Sequence, residues 1–130
     1  ATADRILRAV GSTLWIDDEG KMDGVTALSG SGPAYVFLFI EALQQAAADL
    51  GFTPEQGRQL AIETVQGAAA LAAQSSEPAA LLRERVTSKG GTTEAALQMM
   101  AEKGVKEGII VGVKAAEARG RELGKLLGSE

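Results

Sequence analysis

The pattern of hydrophobic positions predicts a chain built mainly of helices. From Pro33 onward apolar residues recur with helical spacing, and over residues 35–40 they cover the whole circumference of the helix before Glu41 restores a polar stripe. A helix that is apolar all round is normally buried all round. The first turns of this long helix are therefore expected to need neighbours on every side.

Local signals mark the ends of the other helices. Residues 53–56, Thr-Pro-Glu-Gln, form a capping box with a proline in the first turn and predict a helix start. Pro78 predicts the start of a shorter helix, and Lys103–Gly104 predicts the break before the last one. Residues 29–33, Ser-Gly-Ser-Gly-Pro, predict a flexible segment that leads into the first long helix, with Pro33 in its first turn.

The last helix carries a narrow apolar seam. Its members follow one another at alternating steps of four and three residues, as in a coiled coil: Ile109, Val113, Ala116, Gly120, Leu123 and Leu127. The charged residues around the seam predict a solvated face, on which Glu117 and Arg121 form an i,i+4 ion pair. The apolar helices together predict a homodimer with interleaved helices, with assembly beyond the dimer left open.

The opening of the chain follows a different pattern. Residues 4–11 are typical of a short helix that ends at a glycine, and residues 13–16 are rich in β-formers, but no second convincing strand follows to pair with them. We expect residues 1–23 to be one residual helix-strand unit of a dinucleotide-binding domain, with its linker. Residues 24–130 are expected to form the helical dimerisation and substrate-binding domain.

Composition limits the chemistry of the chain. Its 130 residues, enough for one domain, contain neither cysteine nor histidine, which removes a cysteine nucleophile, the usual zinc ligands and the commonest general base. The acidic cluster at residues 17–23 lacks the ligand spacing of an EF-hand, so no metal site is predicted. Any reaction is expected to rely on positioning, or on a cofactor held elsewhere.

Charge and hydropathy limit which binding partners and which cellular location are expected. The net charge of −4 argues against a nucleic-acid or anionic-membrane surface. No apolar run is expected to reach the length of a membrane span, and no secretory signal opens the chain. The expectation is a soluble cytoplasmic protein that binds neither nucleic acid nor membrane.

The most informative stretch is residues 85–94, where two glycines and four hydroxyls lie between two helical patterns. Because the first amides of a helix have no intrahelical acceptor, a helix that starts here would direct free N–H groups into the loop. A carboxylate or phosphate is the expected ligand, bound by the amides of Gly91, Thr92 and Thr93 with the hydroxyls of Ser88 and Thr93 alongside. An ordinary helix cap is the alternative explanation.

Two motifs carry a resemblance to a known family. Residues 27–35, Ala-Leu-Ser-Gly-Ser-Gly-Pro-Ala-Tyr, and residues 86–93, Val-Thr-Ser-Lys-Gly-Gly-Thr-Thr, closely resemble the C-terminal dimerisation domain of the pyrroline-5-carboxylate reductases. The order of elements agrees over nearly the whole chain. In that family a Rossmann domain precedes an all-helical dimerisation domain.

The resemblance implies reduction of L-1-pyrroline-5-carboxylate to L-proline, the last step of proline biosynthesis, with NADPH or NADH as hydride donor. It implies a substrate site at Ser88, Gly90, Gly91, Thr92 and Thr93, in which the Thr93 hydroxyl is the catalytic group that orients the ring nitrogen. Ser31, as part of a pocket wall, and Glu77, near the ring nitrogen, are further candidates.

The chain departs from the family in having no G-x-G-x-x-G motif after a strand, so the cofactor is expected to bind a Rossmann domain absent from this chain. The fragment alone is therefore expected to be inactive.

Two other functions remain open from the residues. A non-enzymatic helical dimerisation module would need only the apolar helices and the seam. A dehydrogenase of the same two-domain layout acting on 3-hydroxy acids would need a catalytic lysine on a long helix, which Lys89 in a glycine loop does not match.

Overall fold

The computed structural model describes residues 19–128, and every regular element in that range is helical. In chain order they are a 3-10 turn (Glu19–Lys21), α1 (Met22–Val25), a π-helical segment (Thr26–Gly30), α2 (Gly32–Asp49), α3 (Pro54–Gln74), α4 (Ala79–Arg85), α5 (Thr92–Glu102) and α6 (Val105–Gly128). The all-α class is confirmed. The helix-strand unit expected within residues 1–23 lies largely outside the described residues.

The helix ends follow the local signals. At the start of α3 the Gln56 amide donates to Thr53 Oγ1 over 3.1 Å, and the Thr53 amide donates to Gln56 Oε1 over 3.0 Å. These bonds complete the predicted capping box. Pro78 immediately precedes α4, and Gly104, with a φ of +69°, separates α5 from α6. Both predicted boundaries are confirmed.

The segment expected to be flexible is helical instead. The Ser31 amide donates to the Thr26 carbonyl over 2.8 Å, the five-residue step of a π-helix. The Tyr35 hydroxyl donates to the Ala27 carbonyl over 2.7 Å and ties α2 back to this segment. Pro33 lies in the first turn of α2 as expected, where its missing N–H removes no intrahelical bond. The prediction of a flexible lead-in was wrong because the wider turn takes up the glycines without breaking the helix.

This continuity changes the expectation about membrane spans. Residues 22–49 form one helical run of 28 residues whose most apolar window has a mean hydropathy of 1.2, so by length and composition it could cross a bilayer. The expectation that no run reaches that length was wrong, because it placed a break at residues 29–33. Only 6% of this window is buried within the chain. The run therefore presents a large apolar surface that its own chain covers only in small part.

Two close contacts organise the packing. α2 and α3 form a helical hairpin in which a Cβ built on Gly57 would lie 3.1 Å from the Ala47 Cβ. α6 packs on α1 and the π-helical segment, where a Cβ built on Gly120 would lie 3.2 Å from Asp23 Oδ1. Gly57 lets the backbones of α2 and α3 approach closely, and Gly120 leaves room for the Asp23 side chain. α5 packs on α6 and so connects the loop before it to the long last helix.

The seam of α6 is partly covered at its middle and exposed at its ends. Its middle, at Val113, Ala116 and Gly120, is half-buried, and α6 there lies against α1 and the π-helical segment of the same chain. Its ends stay open, with Ile109 59% exposed and Leu127 70% exposed. The predicted seam therefore packs within the chain at its middle and leaves its ends open to a second copy. The predicted Glu117–Arg121 ion pair is present at 2.8 Å.

The described residues bury very little of their apolar surface. Ala27, Ala47 and Ala61 are the buried hydrophobic residues in this range, while larger side chains such as Phe37 and Leu38 are each 66% exposed. The chain exposes 10610 Å². A compact monomer of the same mass exposes about 6,500 Å². Residues 19–128 therefore form no extensive hydrophobic core among themselves, and their exposed apolar side chains favour burial against a partner surface.

Candidate functional site

The candidate site is the loop between α4 and α5. α4 ends at Arg85, and the hydroxyl of Thr87 donates to the Arg83 carbonyl over 2.6 Å, which continues the turn past the helix end. Gly90 has a φ of +77°, a left-handed conformation that favours glycine. Gly91 is extended and precedes the first residue of α5. The left-handed glycine turns the chain so that α5 starts directly behind the loop.

The amides of the loop divide into engaged and free groups. The Gly91 amide donates to the Ser88 carbonyl over 3.0 Å, and the Gly90 amide donates to Glu94 Oε1 over 3.2 Å. The amides of Thr92 and Thr93, in the first turn of α5, have no acceptor among residues 19–128. Of the amides predicted to bind an anion, that of Gly91 is thus used inside the loop. Thr92 and Thr93 keep theirs available.

The first turn of α5 also lacks an internal cap. Gly91 occupies the capping position and has no side chain, and no described side chain accepts a hydrogen bond from the first amides of α5. A serine, threonine, asparagine or aspartate at that position would place a side-chain oxygen there, whereas a glycine cap leaves the amides open. Thr93 is half-buried, while Ser88 and Thr92 are exposed. The first amides of α5 are therefore available to an external acceptor, such as an anion or water.

Sequence reasoning missed the role of Glu94. Its carboxylate reaches back four residues to the Gly90 amide and closes the loop from the helix side. A glutamate at the third position of a helix is the signal that could have indicated this, because such a residue commonly bonds to the backbone before the helix. Glu94 holds Gly90 in place and leaves the amides of Thr92 and Thr93 free.

The two further candidates lie in different surroundings. Glu77, just before α4, places its Oε2 atom 2.6 Å from Nη2 of Arg85. Ser31 is half-buried at the junction of the π-helical segment and α2, and its amide bonds to Thr26. No hydrogen bond of Ser31 within the described part of the chain reaches the glycine loop. The substrate contacts of both residues stay predictions.

The described residues do not form a site for a dinucleotide or a metal. Residues 19–128 contain no strand, and so no glycine-rich turn between a strand and a helix of the kind that binds a pyrophosphate. In the same range no group of three or more acidic side chains is placed to hold a metal ion. The chemistry available here is binding and orientation by amides, hydroxyls and a few charged groups.

A large apolar groove lies beside these elements, between α2, α3 and α6. Its volume is about 720 Å³, and its lining includes Tyr35, Phe39, Val65, Ile109 and Val113. A second groove of about 620 Å³, between the end of α3 and α4, is lined by apolar residues with Arg83 and Arg85. The first groove coincides with the uncovered surface of the long apolar helix.

Comparison with known proteins extends these observations. The family model described as "Pyrroline-5-carboxylate reductase dimerisation" matches residues 19–123. A pyrroline-5-carboxylate reductase of Pseudomonas aeruginosa is 44% identical over 126 residues, covering 97% of this chain and 46% of that protein. One of Synechocystis is 42% identical over 125 residues, covering 96% of this chain and 46% of that protein.

Solved structures agree with the sequence comparisons. A pyrroline-5-carboxylate reductase from Coxiella burnetii superposes with a TM-score of 0.89 at 44% identity, covering 94% of this chain and 45% of that one. A pyrroline carboxylate reductase of Plasmodium falciparum, with NADP bound, gives a TM-score of 0.88 at 32% identity, covering 95% of this chain and 47% of that one.

The chain spans less than half the length of these relatives. The predicted division between residues 23 and 24 stays a prediction. The all-helical fold, both sequence motifs and the matched range lead to the same assignment: the chain belongs to the pyrroline-5-carboxylate reductase dimerisation family.

Proposed function

We propose that this chain supplies the dimer interface and the substrate-carboxylate loop of a two-domain reductase that converts L-1-pyrroline-5-carboxylate to L-proline. The observation that carries the proposal is the pair of uncapped amides at Thr92 and Thr93 behind the Gly90 turn. Membership of the family and the names of its relatives support the substrate. The net charge of −4 supports an enzyme without a nucleic-acid or anionic-membrane partner, and a cytoplasmic location is part of the same proposal.

The substrate offers two groups for recognition, a carboxylate and a ring imine. Reduction adds a hydride to the imine carbon and a proton to the ring nitrogen. The amides of Thr92 and Thr93 hold the carboxylate, and the positive end of the α5 dipole favours its negative charge. The hydride comes from NADPH or NADH, which this proposal places on the second domain, since the described residues do not form a dinucleotide site.

Thr93 is the residue that connects the carboxylate to the imine. Its amide holds the carboxylate, and its half-buried hydroxyl hydrogen-bonds the ring nitrogen and favours the protonated, more electrophilic form. A threonine hydroxyl is too weak an acid to be the proton source, so the proton comes from water. Ser88 and the Gly90–Gly91 turn shape the carboxylate pocket, and Ser31 forms part of its wall.

The uncovered surface supports a homodimer as the working form. The apolar groove between α2, α3 and α6 offers an apolar surface to a helix of a second copy, and a two-fold axis would fill both grooves at once. An interleaved pair would bury more than about 2,000 Å² in total, as obligate dimers do. In this proposal the loop lies near that interface, so that both protomers shape each pocket.

The role of Thr93 is tested in the two-domain enzyme with Thr93→Ala and the matched control Thr93→Ser, which keeps the hydroxyl. Thr93→Ala should lower kcat/KM by roughly ten- to a hundredfold, the effect of one charge-assisted hydrogen bond. It should weaken binding of L-proline but not of cyclopentanecarboxylate, which lacks the nitrogen, and Thr93→Ser should retain most of the activity. A loss below twofold with Thr93→Ala, or an equal loss for both ligands, contradicts the proposal.

A further inference from the structure

α4 is the least supported helix of the described chain. It has seven residues, Ala79–Arg85, too few to be stable as an isolated helix, and it has no extensive packing against another helix within residues 19–128. Its start is shaped locally, because Ser75 Oγ accepts the Glu77 amide over 3.1 Å and the Pro78 carbonyl accepts the amide of Leu82 over 3.1 Å. Its end leads directly into the substrate-carboxylate loop.

One ion pair joins the two ends of this helix. Oε2 of Glu77, before the helix, lies 2.6 Å from Nη2 of Arg85, its last residue. This oxygen atom is shielded from solvent and has no well-aligned hydrogen bond, so the guanidinium charge is what stabilises it. The side chains themselves are 36% and 56% exposed. Arg83, two residues earlier, forms no ion pair in the described part of the chain.

We infer that Arg85 is a positioning residue for the substrate-carboxylate loop and acts through Glu77, an inference that rests on the proposed function. The loop begins at Val86, so the direction in which α4 ends fixes where the amides of Thr92 and Thr93 lie. The pair locks that direction by closing the seven-residue helix against the turn before it. Glu77 is thereby a structural partner of Arg85 and takes no part in proton transfer.

Loss of the Arg85–Glu77 pair is expected to change KM and to leave kcat nearly unchanged. Without the guanidinium the end of α4 loses its ion pair with Glu77. The uncompensated negative charge of Glu77 then repels the substrate carboxylate. Both effects weaken binding, and neither reaches the imine carbon. Arg85→Gln should therefore raise KM about three- to tenfold, the range for losing a partly shielded ion pair, with kcat within about twofold of wild type.

The experiment compares steady-state kinetics of the two-domain enzyme in five forms: wild type, Arg85→Gln, Glu77→Gln, the charge swap Glu77→Arg with Arg85→Glu, and the matched control Arg83→Gln. We expect the swap to restore KM to within about twofold of wild type, because it rebuilds the pair with reversed charges. Arg83→Gln should match wild type. Glu77→Gln should leave kcat within about twofold.

Several results would overturn the inference while leaving the proposed function intact. A fall in kcat above about tenfold in Glu77→Gln, with no rescue by the swap, would make Glu77 a catalytic group. Equal effects of Arg83→Gln and Arg85→Gln would reduce the pair to general surface charge.

A second readout does not depend on turnover. In the 130-residue chain, Arg85→Gln should shift the amide resonances of Gly90 and Thr93, and the swap should return them towards wild type. If these resonances stay unmoved, Arg85 does not position the loop. If the wild-type enzyme fails to reduce the pyrroline, the proposed function falls, and these resonances still decide whether Arg85 positions the loop.

Discussion

The backbone of the glycine loop gives a sharp test of the carboxylate site, because its two glycines are required for different reasons. Gly90 has a φ of +77° with no atom within 4 Å of an added Cβ, so Gly90→Ala meets no clash and incurs only the left-handed conformational penalty. That penalty is about 1–2 kcal/mol for an L-residue. The penalty destabilises the loop conformation in which the Thr92 and Thr93 amides are available to the substrate.

Gly91 is different, since its φ of −92° suits any residue. A Cβ there would lie 3.2 Å from the Ser88 carbonyl oxygen and 3.4 Å from the Ser88 Cβ, so the turn must open by a few tenths of an ångström. Opening weakens the 3.0 Å bond from the Gly91 amide to Ser88. Such a bond contributes about 0.5–1.5 kcal/mol. Gly91 is therefore required because a side chain at this position would press on Ser88 within the loop, in addition to narrowing the space that the ligand enters.

The penalties convert to affinity through the population of the binding-competent loop. A loss of about 1–2 kcal/mol raises the apparent Kd of L-proline at most about 5- to 30-fold for Gly90→Ala. The loss of about 0.5–1.5 kcal/mol in Gly91→Ala raises it at most about 2- to 12-fold. Titration calorimetry of the two-domain enzyme with L-proline measures both. Gly104→Ala is the matched control, because Gly104 also has a left-handed φ, of +69°, with open space around it, but lies after α5.

The control separates a local effect from general destabilisation. Gly104→Ala should lower the melting temperature without changing the Kd of L-proline. The reasoning fails if Gly90→Ala binds L-proline within twofold of wild type, or if Gly104→Ala weakens binding as much as Gly90→Ala does.

Three further predictions follow from the fold. Gly57→Ala should destabilise the chain by about 1–2 kcal/mol in urea unfolding, because the new methyl group would lie 3.1 Å from the Ala47 Cβ and this outweighs the better helix propensity of alanine. The control Gly124→Ala, in open space on α6, should stabilise the chain slightly. If Gly124→Ala were the less stable of the two variants, the packing at Gly57 would be contradicted. Tyr35→Phe should cost about 0.5–1.5 kcal/mol through the lost bond to the Ala27 carbonyl, and unchanged urea stability would show that the π-helical segment needs no such tie. The 130-residue chain alone should not oxidise NADPH with the pyrroline substrate, and measurable L-proline formation would refute this.

Local chemistry made much of the fold predictable. The capping box at Thr53 and Gln56, the proline before α4 and the glycine between α5 and α6 each satisfy backbone groups within a few residues, so the sequence alone identifies them. The π-helical segment was not predicted, because contacts from outside the segment override its local preference. Its glycines and serines favour a turn locally, whereas the bond from Tyr35 to Ala27 and the packing on α6 keep the chain helical.

Periodicity and motifs predict less of the contacts that each residue makes. Heptad-like spacing showed that one face of α6 is apolar, but it could not say that Gly120 meets Asp23 of the same chain while Ile109 stays open. In the loop, the helix start and its free amides were predictable from residue types. The engagement of the Gly91 amide by Ser88 depends on the path of the backbone, which residue types do not specify.

The central claim is that the exposed apolar surface of this chain is its interface with a second copy. Sedimentation equilibrium at low micromolar concentration tests it directly, with Val113→Asp placing a charge in the apolar groove and Lys114→Asp placing one on the solvated face of α6. For a chain of 13.4 kDa, wild type and Lys114→Asp should sediment with twice that mass, and Val113→Asp should dissociate and unfold together. A folded wild-type monomer, or a stable dimer of Val113→Asp, would contradict the account.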